Sequence, residues 1–294
     1  MRLTVQSAAA GGVCVAIAGI LWGVLGLFVR QLSGYDLMPL DVVGVRGDVA
    51  SVFLLLWLLV TDRAALRIRL RDIWCFLGTG IGSIVFFNYC YFSAVEQMSL
   101  ACAAVLLYTA PAFVMILSRL LFREPLTGPK LLSLVLTFAG CVLVTGVLSS
   151  QPNLTTAGVL LGLGSGLGYA LYTIFGRYAL QRGYTAKTIT FYTFLIAGLV
   201  VGLGNGTERV AAAVLDPSAL VWMLALGVCS TVLPFLLYTL GLTRLEGGRA
   251  SIIASIEPVT AAVLGIVYYA EVPSLMTLAG MLLVLLGIVI ACRS

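Results

Sequence analysis

The chain contains no histidine. That single absence removes imidazole triads, histidine-ligated metals and imidazole proton shuttles. Charge is scarce as well. Only 10% of the 294 residues are Asp, Glu, Lys or Arg, whereas 61% are hydrophobic. Twelve acids and seventeen bases cannot cover a water-soluble domain of this length. An ordinary cytosolic enzyme, a disordered chain and a disulfide-stapled secreted scaffold are all excluded by this composition. The seven cysteines are odd in number, show no CxxC spacing and sit almost all in apolar runs, so they read as free thiols acting as small hydrophobes. No phosphate-cradling GxxxxGK[ST] occurs, which leaves ATP-driven transport by this chain alone without support.

What is present is a succession of long apolar runs. A helix rises 1.5 Å per residue, so a bilayer core of about 30 Å needs about 20 apolar residues. Ten such runs can be read, near 8–30, 40–60, 73–95, 98–121, 130–149, 156–178, 187–206, 219–242, 249–270 and 274–292. They are numbered spans 1 to 10 below. The patterning is helical or absent, never alternating, which argues against a β-barrel. The expected fold is an all-α membrane protein of ten transmembrane helices with no soluble domain left over. The first run is longer than a signal-peptide core and suits a retained span.

Lys and Arg set the orientation. With the N-terminus in the cytoplasm, Arg2, the cluster Arg63, Arg67, Arg69 and Arg71, Arg119, Arg123, Lys130, Arg177, Arg182, Lys187, Arg244, Arg249 and Arg293 all fall on that side. Arg30 and Arg209 fall outside, and Arg46 lies within a span. Both termini are therefore expected inside. The net charge of +5 follows from this bias, and no basic patch calls for a nucleic acid. The partners expected are a small-molecule substrate and the lipid bilayer.

A shift of 147 residues superposes the two halves without a gap. Arg30 falls on Arg177, Tyr91 on Tyr238, Pro111 on Pro258, Glu124 on Glu271 and Gly140 on Gly287. Residues 1–147 and 148–294 thus read as two five-span repeats. Five is odd, so the second copy enters the membrane from the opposite face. Such inverted repeats recur in transporters, because exchange of conformation between the halves turns an inward-open state into an outward-open one.

The set formed by Ile20-Leu21-Trp22-Gly23, Arg46, Ala110-Pro111, Arg123-Glu124-Pro125-Leu126-Thr127, Glu257-Pro258 and Ala270-Glu271-Val272-Pro273-Ser274 resembles the drug/metabolite transporter superfamily, in its EamA-type ten-helix branch. The resemblance covers essentially the whole chain. It implies a multi-pass protein of the cell membrane, the inner membrane in a bacterium, that exports small metabolites, typically amino acids or their relatives, without a cofactor. Leu21-Trp22, Arg30 and the aromatic content of spans 1, 3, 4 and 6 look like the YddG-type aromatic amino-acid exporters. A permease for sugars, nucleotides or cationic drugs is the alternative, and a proton is an open coupling partner.

Several residues are candidates for the transport path. Pro111 and Pro258 each remove a backbone donor at mid-span and free the carbonyl of Leu107 or Ala254. They read as hinges beside the cavity or as fixed packing kinks. Glu257 at mid-membrane must face protein or a wet cavity. It can meet a substrate amine, carry a coupling proton or accept from neighbouring backbone. Arg46 either binds a substrate carboxylate or joins a structural ion pair. Trp22, Tyr89, Tyr108 and Tyr169 lie too deep for an interfacial belt and are expected to line a cavity, together with Tyr172 and Tyr238. Paired glycines such as Gly19/Gly23, Gly78/Gly82 and Gly162/Gly166 read as close helix contacts.

Overall fold

A computed structural model describes residues 2–149, 154–202 and 207–293, with no account of the side chains of residues 2–7, 149 and 207. Among the described residues, eight helices have the length and apolarity to cross a membrane: Ala8–Tyr35, Pro39–Thr61, Leu70–Gln97, Leu100–Phe122, Thr156–Gln181, Pro217–Leu242, Gly247–Tyr269 and Leu275–Arg293. Gly128–Val144 and Ala186–Gly202 are shorter apolar helices in the places of spans 5 and 7. The expected end of span 7, at 203–206, and the two terminal residues lie outside the described residues. Beyond that gap a short helix, Thr207–Val214, was not anticipated.

The packing of the spans is that of two interlocked, inverted copies. Span 1 lies on span 8 as span 6 lies on span 3. Spans 2 and 7 pack on each other, as do spans 5 and 10. Span 6 crosses both pieces of span 4, and span 1 crosses both pieces of span 9. The glycines make these crossings close. A Cβ on Gly140 would fall 2.6 Å from the Gly280 carbonyl, and one on Gly47 2.8 Å from the Gly198 Cα. Van der Waals contact between such bare backbones drives helix association in lipid.

The expected kinks at Pro111 and Pro258 are short interruptions of the helix. Span 4 divides into Leu100–Leu107 and Ala110–Phe122, and span 9 into Gly247–Ala254 and Glu257–Tyr269. Each proline is the second residue of the second piece, where its missing N–H costs nothing. Helices of the other half press close to this region. Gly166 of span 6 lies against the carbonyls of Leu106 and Leu107, and its repeat mate Gly19 of span 1 lies against that of Ala254.

Spans 3 and 8 each contain a widened, π-helical stretch, Gly78–Val85 and Val228–Val232. The widened turns free backbone carbonyls, and polar side chains take them. The Thr79 hydroxyl donates to the Phe76 carbonyl at 3.2 Å, the Asn88 amide to Ile84 at 2.7 Å, and the Thr231 hydroxyl to Leu226 at 3.2 Å.

Ion pairs tie the two ends of the bundle. At the basic end, Asp72, 1% exposed, accepts from Arg182 at 2.9 Å and from the Tyr184 hydroxyl at 2.8 Å. At the opposite end Asp41 accepts from Arg209 at 2.9 Å, and that hydrogen bond and charge hold the guanidinium above its ordinary pKa. All seven cysteines are free thiols. Cys75, Cys90, Cys102 and Cys141 are buried, whereas Cys292 is exposed.

Candidate functional site

A cavity of about 590 Å³, mouth included, lies at mid-depth between the halves. Spans 1, 2 and 3 supply Trp22, Leu25, Arg46, Ser83, Ile84, Phe87 and Asn88, and spans 6, 8 and 9 supply Tyr169, Tyr172, Thr173, Phe235, Tyr238 and Glu257. Of the residues expected at a substrate site, Trp22, Tyr169, Tyr172, Tyr238 and Glu257 are thus brought together.

The aromatic wall is a connected set. The Trp22 ring stands edge-on to Phe235 at 5.0 Å and to Tyr169 at 6.0 Å, and is tilted against Tyr238 at 5.4 Å. Tyr172 meets Phe235 at 4.9 Å, and Phe87 meets Tyr169 at 5.9 Å. Two phenols are committed to holding span 6 on span 8. Tyr172 shares a hydrogen bond with Thr239 at 2.8 Å, and Tyr238 shares one with Thr173 at 2.7 Å. Their rings face the cavity while their hydroxyls serve the scaffold.

Glu257 opens the second piece of span 9 and borders two spaces. One is the central cavity. The other is a narrow crevice lined by Leu107, Tyr108, Ala110, Pro111, Tyr169, Ser251, Ala254 and Ser255. Tyr108 and Pro111 therefore belong to this crevice. Pro258 is buried beside it and contributes to neither wall. Among the described residues the Glu257 carboxylate has neither an ion-pair partner nor a hydrogen-bond donor. The alternative of a structural acceptor for nearby backbone is not what the geometry gives.

Tyr89 is placed elsewhere. It is 58% exposed and borders a lateral groove with Leu40, Val43, Val85, Asn88, Val200 and Val201. Span 3 turns Phe87 inward, and Tyr89, two residues on, falls on another face. Arg46 also departs from the ion-pair expectation. Its Nε donates to Thr231 at 3.0 Å, and no carboxylate among the described residues lies within 4 Å. Sequence reasoning missed Thr231, Asn88 and Thr173. The available signal was the repeat of Gly80/Gly227 and Ser83/Ser230 in spans 3 and 8, which marks the widened turns.

At the basic end the two halves are pinned together. Glu124 pairs with Arg177 and accepts from the backbone N–H groups of Gly247 at 3.0 Å and Gly248 at 3.3 Å. Lys130 pairs with Glu246 and donates to the Pro125 carbonyl at 2.9 Å. The second piece of span 4 packs on the first piece of span 9 there. The matching pieces at the other end, Leu100–Leu107 and Glu257–Tyr269, are not packed together in this way.

Among known proteins, the model of the EamA-like transporter family matches residues 9–146 and again 156–293. An uncharacterized transporter of Archaeoglobus fulgidus is 32% identical over 96% of both chains. The threonine/homoserine exporter RhtA of Escherichia coli is 27% identical over 74% of this chain and 68% of its own. A solved crystal structure superposes with a TM-score of 0.81 over 96% of both chains at 17% identity.

Proposed function

We propose, for a chain that belongs to the EamA-like transporter family and is a multi-pass membrane transporter, that its cargo is amino acids, aromatic ones included, bound in the central cavity and exported by alternating access. The observation that carries this reading is a carboxylate without a protein partner, Glu257, set in an aromatic wall. A carboxylate left bare at mid-membrane is stabilised by a cation, and aromatic faces add attraction for an ammonium. Trp22, Tyr169, Tyr172 and Tyr238 hold the substrate side chain. Tyr108 borders the crevice beside Glu257, and Tyr89 stands on the lateral groove outside the central cavity. Pro111 and Pro258 mark the hinges about which the pieces of spans 4 and 9 reorient. The two repeats, 1–147 and 148–294, move as opposed arms, with both termini and the basic end in the cytoplasm. The relative named as a threonine/homoserine exporter supports the cargo class.

The test is a panel of labelled amino acids, sugars, nucleotides and cationic drugs offered to purified protein in liposomes, with and without a proton gradient. Saturable flux of unaltered amino acids is expected. Flux confined to the other classes overturns the reading.

A further inference from the structure

We propose that Arg46 is the carboxylate-binding residue of the central cavity, so that Arg46 and Glu257 together select a zwitterion. This rests on the amino-acid reading above and names how that site recognises its ligand. The guanidinium is fixed by a single bond: Nε donates to Thr231 Oγ1 at 3.0 Å. The Thr231 proton is already committed to the Leu226 carbonyl of the widened turn, so the hydroxyl presents a lone pair to Arg46. The terminal nitrogens have no acceptor among the described residues, and Arg46 is part of the cavity wall. A planar pair of N–H donors matches a carboxylate two-pronged. Glu257 stands in the same cavity, bare and of opposite charge, without closing on Arg46 into an ion pair. Two unpaired opposite charges held apart in a low-dielectric space fit a ligand that carries both. A cationic drug satisfies Glu257 and is repelled by Arg46, and a sugar satisfies neither. The arrangement exists only once, since the repeat mates of Arg46 and Glu257 are Thr193 and Ala110. A zwitterion is therefore bound in one orientation.

The test compares L-phenylalanine with phenethylamine, which lacks the carboxylate, in liposomes bearing wild-type protein, R46Q or R46K. R46Q is expected to raise KM for phenylalanine at least tenfold and to leave inhibition by phenethylamine unchanged or strengthened. R46K, which keeps the charge and loses the fork, is expected in between, and it serves alone if R46Q does not fold. Equal loss for both ligands, or for neither, overturns the assignment of Arg46. Absence of amino-acid flux in the wild type instead overturns the cargo reading, and this assignment with it.

A second inference comes from the ends of the bundle. We infer that Glu271 is a latch that fastens the alternate conformation, as Glu124 fastens this one. The two turns have the same backbone. Arg123 and its mate Ala270 are both left-handed, at φ 57° and 55°. The Glu124 N–H donates to Ser118 at 3.3 Å, and the Glu271 N–H donates to the matching Gly265 carbonyl at 3.1 Å. Arg177 lies over the Phe122 ring at 5.0 Å, and its mate Arg30 lies over the matching Tyr269 ring at 4.1 Å. Only the fastening differs. Glu124 bridges Arg177 and the amides of Gly247 and Gly248, whereas Glu271 is exposed and forms no ion pair with Arg30. The mates of those glycines are Leu100 and Ala101, which open the first piece of span 4 under a cap from their own Ser99. Closing that end brings their N–H groups and Arg30 to Glu271, a favourable place for an anion. The Lys130–Glu246 pair has no charged mate, since Thr277 and Ser99 stand there.

Spin labels at L100C and V272C, both exposed sites, test this after Cys14, Cys229 and Cys292 are replaced by serine. Substrate and E124Q are each expected to add a short-distance population. E271Q is expected to remove that population and to lower flux at least tenfold with substrate affinity unchanged. Wild-type distances and flux in E271Q overturn the latch.

Discussion

Gly166 presses its Cα against the hydroxyl of Thr109 so closely that a Cβ there would fall 2.6 Å from Thr109 Oγ1 and 2.9 Å from the Leu106 carbonyl. Thr109 is one of the two residues at the break of span 4, and its hydroxyl donates to that same Leu106 carbonyl at 2.6 Å. The break is thus buttressed by a helix of the other half. We expect Gly166→Ala to destabilise the protein by about 1–3 kcal/mol through overpacking, read as a lower midpoint of thermal unfolding in detergent. Gly176 on the same helix has open space around it, and its alanine variant should unfold no earlier than the wild type.

Trp22→Ala should impair transport of aromatic amino acids more than of small ones. The indole meets three rings of the cavity. An aromatic contact is worth about 0.5–1.5 kcal/mol beyond its buried area, so the ratio of kcat/KM between phenylalanine and alanine should fall by up to roughly tenfold. Equal losses for the two substrates count against an aromatic site.

Glu257→Gln should leave folding intact and weaken substrate binding. A hydrogen bond to a charged group contributes about 1.5–3 kcal/mol, which is roughly ten- to a hundredfold in KM. Any dependence of flux on pH that arises from this carboxyl should vanish with it. Unchanged KM and an unchanged pH profile in liposomes would sink the role of Glu257.

Asp72→Asn should lower stability by about 1.5–3 kcal/mol, because the amide carries no charge for Arg182 and keeps one accepting oxygen where Arg182 and Tyr184 now use two. KM should be unaffected, since the central cavity does not include these residues. Thermal unfolding together with a substrate titration separates the two effects.

Cys292, exposed near the C-terminus, should react with an impermeant maleimide only after the membrane is breached from the cytoplasmic side. Labelling in intact cells would reverse the orientation assigned from Lys and Arg.

The helical membrane architecture and its duplication were legible in the sequence because both depend on summed properties. Apolar run length decides whether a helix can cross a bilayer, and the scarcity of Arg, Pro and Glu makes their recurrence at a 147-residue shift conspicuous. The prolines at 111 and 258 likewise marked the interruptions of spans 4 and 9. The structure decided which side of each helix faces the cavity. In helices apolar all round, Phe87 and Tyr89 look alike in sequence, yet one meets Tyr169 and the other is exposed. The local pitch of spans 3 and 8 is altered by π-helical turns, which changes the facing of every residue beyond them. The partners of Arg46 and Glu124, and the unpartnered setting of Glu257, were also beyond sequence reasoning, because each is set by helices far apart in the chain whose approach depends on bare glycine backbone.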